Sequence, residues 1–530
     1  MDSHHIQPSA RQPVFARNIV STSQPLAAQA GAAAFARGGN AIDAALAAAI
    51  TLTVVEPVMN GIGGDSFALV WEGGKLHGLN GSGRSPAGWG ASRFTKLESM
   101  PLRGWDSVTV PGQVAGWLSL SERFGQLPFE DLFADAIRHA RDGFPVSPVI
   151  SRQWREQAAL LHACPGFDAF MPRGRTPAAG EIWRFAQQAS TLEDIARTRG
   201  ESFYRGALAD AMCRHAQAHG GVLSRADLEQ HRSEWVEPIS VDFHDRQVWE
   251  IPPNGQGIAA LIALGLLEQL PYDQTPVGSA QRMHLEIEAM HLAFADLQAH
   301  VADPAHMRWT AAQLLDPAHL KERARGIDLT RASVHAPSQL PSGGTVYLCT
   351  ADAQGRMVSY IQSNYRGFGS GVVVPGTGIS LHNRGSGFVT TPGHVNQVAG
   401  AKRPLHSIIP AFLTQGGEPA MAFGVMGGNM QAQGHLQMVL RHVVEGLNPQ
   451  ACSDAPRWRI NDAGTLTLEP GVEPGVVQGL LDMGHRPEVQ APGNLLFGSA
   501  QLVQRLPAEQ GEVAYVAGSD HRRDGQAVGC

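Results

Sequence analysis

Residues 343–352 read Gly343–Gly344–Thr345–Val346–Tyr347–Leu348–Cys349–Thr350–Ala351–Asp352. Two glycines run into a threonine that opens a β-patterned run. A second run, Met357 to Gln362, follows the turn Asp352–Ala353–Gln354–Gly355. Scission before Thr345 would give that residue both a hydroxyl and a free α-amine, a nucleophile and its general base together. An α-amine titrates at about pH 8, so a useful fraction is neutral and can take the hydroxyl proton. The paired glycines leave little bulk around the scissile bond and allow strained backbone. Alone, the decapeptide reads as an ordinary strand start.

The motifs that follow decide between the two. They are Gln362–Ser363–Asn364–Tyr365–Arg366–Gly367–Phe368–Gly369–Ser370–Gly371, Pro375–Gly376–Thr377–Gly378–Ile379 and Asn383–Arg384–Gly385–Ser386–Gly387–Phe388. Next stand Lys402–Arg403–Pro404–Leu405–His406–Ser407 with Pro410, and Gly424–Val425–Met426–Gly427–Gly428. Asp454–Ala455–Pro456–Arg457, and Gly518–Ser519–Asp520 with Arg522, Asp524 and Gly525, complete the series. In order and spacing the set resembles the small subunit of the γ-glutamyltranspeptidase family of N-terminal-nucleophile hydrolases. Gln24–Pro25–Leu26–Ala27, Gly31, the run Gly38 to Ala45, Glu56–Pro57, Gly61–Ile62–Gly63–Gly64–Asp65, Val110–Pro111–Gly112 with Gly116, and Ala140 to Phe144 extend the resemblance over about residues 18–529.

Composition excludes several function classes. The 530 residues are 43% hydrophobic and 17% charged, with a net charge of −7, which favours neither a nucleic-acid nor an anionic-membrane partner. The five cysteines, Cys164, Cys213, Cys349, Cys452 and Cys530, are scattered and imply neither a disulfide framework nor a zinc site. Cys349 reads as a small core hydrophobe. Met1 to Arg17 lacks an apolar signal core, and the longest apolar stretch, Ala41 to Val55, contains Asp43, so a cytoplasmic protein is expected.

Periodicity predicts one helix over Pro25 to Thr53, capped near Ser23 and interrupted at Gly38–Gly39, then a hairpin of Phe67 to Trp71 with Lys75 to Leu79. Helices are expected over 111–123, 129–141, 149–162, 190–198, 208–218, 225–231, 257–270 and 279–301, and strands over 239–248 and 466–468. Residues 323–344, rich in Ser, Pro and Gly, read as a mobile connector. After Thr345 come strands at 345–351, 356–362, 371–374 and 379–382, a helix over 431–445, and strands at 500–504 and 513–517. Such an order suits a layered α+β protein. The resemblance sharpens it to a four-layer αββα sandwich, cut into a large subunit, 1–344, and a small subunit, 345–530, that together form one compact unit. The resemblance also admits a dimer of such heterodimers.

By resemblance, cleavage falls between Gly344 and Thr345. Thr345 is the nucleophile, and the N–H groups of Gly427 and Gly428 form an oxyanion hole before a helix. Ser363 stands where the family often has a second hydroxyl. Asn383 occupies a pocket-wall asparagine. Arg84, in Gly81–Ser82–Gly83–Arg84–Ser85–Pro86, is the expected grip on a substrate carboxylate, although its register sits about two places from the family arginine. For each of these a plain loop, strand or surface role is the competing reading.

The departures concern the substrate. Family transpeptidases pair an acidic residue with the substrate ammonium; here Gly387 replaces it and Arg384 replaces a neighbouring glutamine. Their paired serines become His406–Ser407. A pocket that loses an anion and gains a cation disfavours an ammonium. The short segment 389–401 resembles the lidless, cephalosporin-acylase-like branch, and more narrowly bacterial oxamate amidohydrolases. The expected activity is hydrolysis of a small carboxylate-bearing amide such as oxamate, with Arg84, Arg384 and His406 as candidate donors and no metal or organic cofactor. A γ-glutamyltransferase or glutathione hydrolase, a glutaryl or cephalosporin acylase, and an unprocessed carboxylate-binding pseudoenzyme stay open.

Overall fold

The computed structural model describes residues 11–333, 343–507 and 511–530. The alanine-rich opening forms two helices, α1 (Pro25–Ala36) and α2 (Ala41–Val55), not the single helix expected. Gly38 turns the chain at φ +88°. Asn40 then caps α2 by accepting from the N–H groups of Ile42 and Asp43, while the Asp43 carboxylate accepts from Asn40 N–H. The first cap is Gln24 and not Ser23. The Gln24 side chain accepts from Leu26 and Ala27 N–H, whereas the Ser23 hydroxyl is used on Glu56 at 2.6 Å. Every residue of α2 is buried, so it has no polar face and lies as an inner helix. A Cβ on Gly31 would stand 2.9 Å from the Ala44 carbonyl, so α1 and α2 meet backbone to backbone.

The strands of the two large sheets are β1 (Val14–Ala16), β2 (Ile19–Thr22), β3 (Asp65–Glu72), β4 (Lys75–Gly81), β5 (Glu234–Val236), β6 (Ile239–Phe243), β7 (Arg246–Glu250), β8 (Gly344–Ala351), β9 (Met357–Tyr365), β10 (Ala411–Gln415), β11 (Glu418–Met426), β12 (Ser499–Arg505), β13 (Tyr515–Ser519) and β14 (Gln526–Gly529). They build two antiparallel seven-stranded sheets, ordered β14-β2-β8-β9-β3-β4-β5 and β1-β13-β12-β11-β10-β7-β6. Strands from before and after residue 344 mix in both sheets. A break there therefore leaves two interleaved chains.

β8 and β9 face β11 and β12 across the centre. α2 covers the first sheet, with α3 (Gln113–Phe124) against β3 and β4. On the second sheet, α4 (Gly257–Leu267) packs on β6 and β7 and α6 (Met430–Val439) on β11; α5 (Ala280–His300) lies against α4, and α7 (Pro474–Asp482) against α5. This is the αββα sandwich. Burial from both sides explains why β8 and β9 are covered almost end to end; Cys349 is buried there among apolar neighbours. No helix among the described residues is long and apolar enough to cross a membrane.

Three further expectations change. The run 239–248 is a hairpin, β6 and β7, turning at His244 with φ +54°. The strands near 371–374 and 379–382 shrink to Val373–Val374 paired with Ile379–Ser380. The helix expected over 431–445 is α6 followed by a π turn at 440–444. Most of the expected connector, 334–342, lies outside the described residues.

Candidate active site

Thr345 sits at a break in register. Gly344 pairs with Tyr365 and Val346 with Gln362, so Ser363 and Asn364 of β9 bulge opposite the threonine at the start of β8. Its hydroxyl reaches the Gly344 carbonyl at 2.7 Å, and the Ser363 hydroxyl donates to the same oxygen at 2.7 Å. The two hydroxyls are 3.4 Å apart. Gln431 Nε2, from the first turn of α6, donates to Thr345 Oγ1 at 3.3 Å. Tyr365 N–H anchors the Ser363 hydroxyl at 2.6 Å.

Gly427 and Gly428 join β11 to α6 with φ of +126° and +65°. A Cβ on Gly427 would stand 3.0 Å from Gly498 Cα. The N–H groups of both glycines donate to no group among the described residues. Gly427 lines a cavity of about 490 Å³ together with Gly343 and Gly344. Four arginines, Arg103, Arg152, Arg366 and Arg523, line it against one acid, Glu156. A second cavity, of about 860 Å³, is lined by Tyr365, Gly387, His406 and Ser407, and Arg366 lines both. A tight turn presents Arg366: Tyr365 and Phe368 have φ of +76° and +54°, and Gly369 N–H returns to the Arg366 carbonyl.

The residues expected around the substrate separate. Asn383 is buried and holds backbone, accepting from Arg366 N–H at 3.1 Å and donating to the Leu102 carbonyl at 2.9 Å. Arg384 is buried, donates to Ser407 Oγ at 2.7 Å and stacks its guanidinium 4.4 Å from the Tyr365 ring centroid. Burial pushes it down to about 10, with Asp65 and Tyr365 opposing the shift, so it remains a cation at neutral pH. Arg84 points elsewhere. It pairs with Asp303 at 2.8 Å and Glu234 at 3.4 Å and lines neither cavity. The carboxylate grip expected of Arg84 is thus engaged by two protein carboxylates.

Several residues escaped the sequence reading. Asp65 was visible only as the end of Gly61–Ile62–Gly63–Gly64–Asp65. It is fully buried and accepts from Gly83 and Gly112 N–H and from His406 Nε2 at 3.1 Å. Burial pushes its carboxyl up to about 7, against the pull of Arg384. His406 Nδ1 accepts from Ile408 N–H, so Nε2 carries the proton given to Asp65. Burial, then Arg384, hold the His406 imidazole well below its ordinary range, so this is a neutral imidazole donating to the Asp65 carboxyl group. His382, pushed down to about 3 by burial, stands 3.7 Å from Asp65. Gln256 fastens the Ser407 and Gly428 carbonyls at 2.5 and 2.8 Å. Gln431 was signalled only by its place three residues after Gly428.

The γ-glutamyltranspeptidase family profile, "Gamma-glutamyltranspeptidase", matches residues 27–530. The chain belongs to this family. Members similar to it include the glutathione hydrolase-like YwrD proenzyme of Bacillus subtilis (strain 168), 36% identical over 97% of this chain and 98% of that protein. The oxamate amidohydrolase proenzyme of Klebsiella pneumoniae is 34% identical over 95% of this chain and 97% of that one. The crystal structure of cephalosporin acylase from Bacillus halodurans superposes with a TM-score of 0.93 at 44% identity, covering 99% of this chain and 98% of that one. The protein is accordingly an amide hydrolase of the N-terminal-nucleophile class.

Proposed function

We propose that the chain is a self-cleaving threonine amidohydrolase whose substrate carries a carboxylate on its acyl side. The observation that carries this is the charge at the cavity lined by Gly344 and Gly427, four arginines against Glu156, with Arg384 buried behind Tyr365 and Gly387 offering no anion. Such a site holds a carboxylate and repels an ammonium. Arg366 makes the carboxylate contact in place of Arg84, and Arg384 contributes charge from behind.

In the precursor, Thr345 Oγ1 attacks the Gly344 carbonyl carbon while Ser363 polarises the oxygen. The Gly344–Thr345 C–N bond breaks, the amine takes the proton, and water hydrolyses the resulting ester to give subunits 1–344 and 345–530. In the mature enzyme the Thr345 amine accepts the hydroxyl proton as Oγ1 attacks the substrate amide. Gly427 and Gly428 N–H groups hold the oxyanion. The amine product leaves with that proton, and water releases the acid.

Oxamate, a primary amide beside a carboxylate, is the smallest substrate of this kind. The cavities of about 490 and 860 Å³ also admit longer dicarboxylic monoamides such as glutaryl amides. The similarity to an oxamate amidohydrolase and a cephalosporin acylase supports this range. A γ-glutamyl substrate is the second reading, because Glu98 lines the larger cavity and could meet an ammonium. The test is to assay processed protein against oxamate, a glutaryl amide and γ-glutamyl anilide. Hydrolysis of the first two is expected; faster turnover of the anilide than of either overturns the proposal.

A further inference from the structure

α5 carries His284 and Glu288 one turn apart on one face, and His485 follows α7. All three are buried. His284 Nδ1 lies 2.8 Å from His485 Nε2, and one ligand atom from each of the three residues falls within 4.8 Å of the others. His284 Nε2 lies 2.8 Å from the Asp328 carbonyl. A carbonyl only accepts, so Nε2 carries the proton and Nδ1 turns its lone pair toward His485 Nε2. This is the tautomer of a metal-ligating histidine with its other nitrogen fixed by an outer partner. Glu288 is oriented in the same manner, with Oε2 accepting from Ser333 N–H at 3.3 Å.

We propose that His284, Glu288 and His485 form a binding site for a divalent transition-metal ion of the zinc class. Two imidazoles and a carboxylate suit zinc or cobalt and not the all-oxygen coordination of calcium or magnesium. Three protein donors leave a position for an exchangeable ligand. The residues line neither of the two cavities described above, so the ion is structural and takes no part in the amide chemistry. Two ligands precede residue 344 and one follows it, so the ion clamps the two sides of the proposed scission. Beside Ser333, Ala332 N–H also reaches the Met483 carbonyl at 2.7 Å. Among the described residues this is the one group of three such side chains with metal-binding spacing.

The test loads purified protein with Zn²⁺ or Co²⁺, removes free metal by desalting, and reads bound metal by elemental analysis and the cobalt absorption spectrum. About one equivalent per chain pair is expected, with visible cobalt bands and a rise in Tm that a chelator reverses. His485→Gln and His284→Gln should each lose the equivalent, while the uncleaved Thr345→Ala protein keeps it. Wild-type protein that retains no metal, or shows no cobalt band, overturns the proposal whether or not the variants fold. So does equal metal content in folded His485→Gln protein, since the 2.8 Å contact would then be a plain imidazole–imidazole hydrogen bond.

Discussion

The Ser363 hydroxyl donates a 2.7 Å hydrogen bond to the carbonyl oxygen of Gly344. That carbonyl is the electrophile of the proposed scission, so one hydroxyl on β9 withdraws charge from the bond that the hydroxyl on β8 attacks. The meeting falls where β9 bulges opposite Thr345. There the Thr345 and Ser363 hydroxyls both reach the Gly344 carbonyl oxygen.

Ser363→Ala is expected to slow self-cleavage by roughly 100-fold, the range seen when one oxyanion donor is removed. Thr345→Ala should leave a single intact, inactive chain. A time course on denaturing gels, with amino-terminal sequencing of the small chain, reads both. A small chain that does not begin Thr-Val-Tyr-Leu would sink the nucleophile assignment, and wild-type cleavage by Ser363→Ala would remove Ser363 from the precursor step.

Arg366→Gln and Arg84→Ala should differ sharply. Arg366 is half-buried and the bound substrate would cover it; losing one partner of a covered charge pair costs about 2–5 kcal/mol, so Arg366→Gln should lower kcat/KM roughly 30-fold or more. The Arg84 side chain is 41% exposed and engaged with Asp303 and Glu234, so its removal should change kcat/KM by less than about threefold. Steady-state kinetics on fully processed proteins decide. A large loss in Arg84→Ala with none in Arg366→Gln would restore the original assignment.

Gly427→Ala places a Cβ 3.0 Å from Gly498 Cα and 3.3 Å from Met430 Cβ, on backbone at φ +126°. The peptide must rotate, and its N–H loses aim. A drop in kcat of about 100-fold or more is expected, with KM changed little. Unaltered kcat in the processed variant would exclude this N–H from the oxyanion hole.

Asp65 sets a pH dependence of stability. Its carboxyl is raised from 3.8 to about 7 by burial. Between those values the folded state holds a proton that the unfolded chain has released. The contribution of Asp65 to stability is therefore full below about pH 4, is lost as pH rises towards about 7, and is level above that. Asp65→Asn removes this term, so the fall in Tm between about pH 5 and about pH 8 should be smaller in the variant than in the wild type. An equal fall in both proteins would show that Asp65 does not keep its proton in the folded state.

Much of the architecture could be read locally. The hairpin of β3 and β4, the strand opened by Thr345 and the long helix α5 follow from alternation, turn residues and 3.6-residue spacing, which neighbours along the chain determine. The boundary errors have local causes too. Asn40 and Asp43 form a second cap inside what looked like one alanine-rich helix, and the tight turn at His244 lies within a run of strand-forming residues. β10 and β11 were overlooked because apolar residues run through them with little alternation, as expected for strands covered on both faces.

The sequence by itself determined the family, the candidate nucleophile and its glycine pair, and the loss of an acid at Gly387, because each is a matter of which residue stands at which place in a motif. Tertiary structure alone decided which charges line the cavities. Arg84 is neutralised by Asp303 and Glu234, 219 and 150 residues away along the chain. Arg366 is delivered to both cavities by a turn that Asn383 holds. Asp65 becomes a half-protonated buried acid near neutral pH because the fold removes its water and sets His406 and Arg384 around it. Coulomb energy and desolvation depend on distance and burial in space, and neither is fixed by order along the chain.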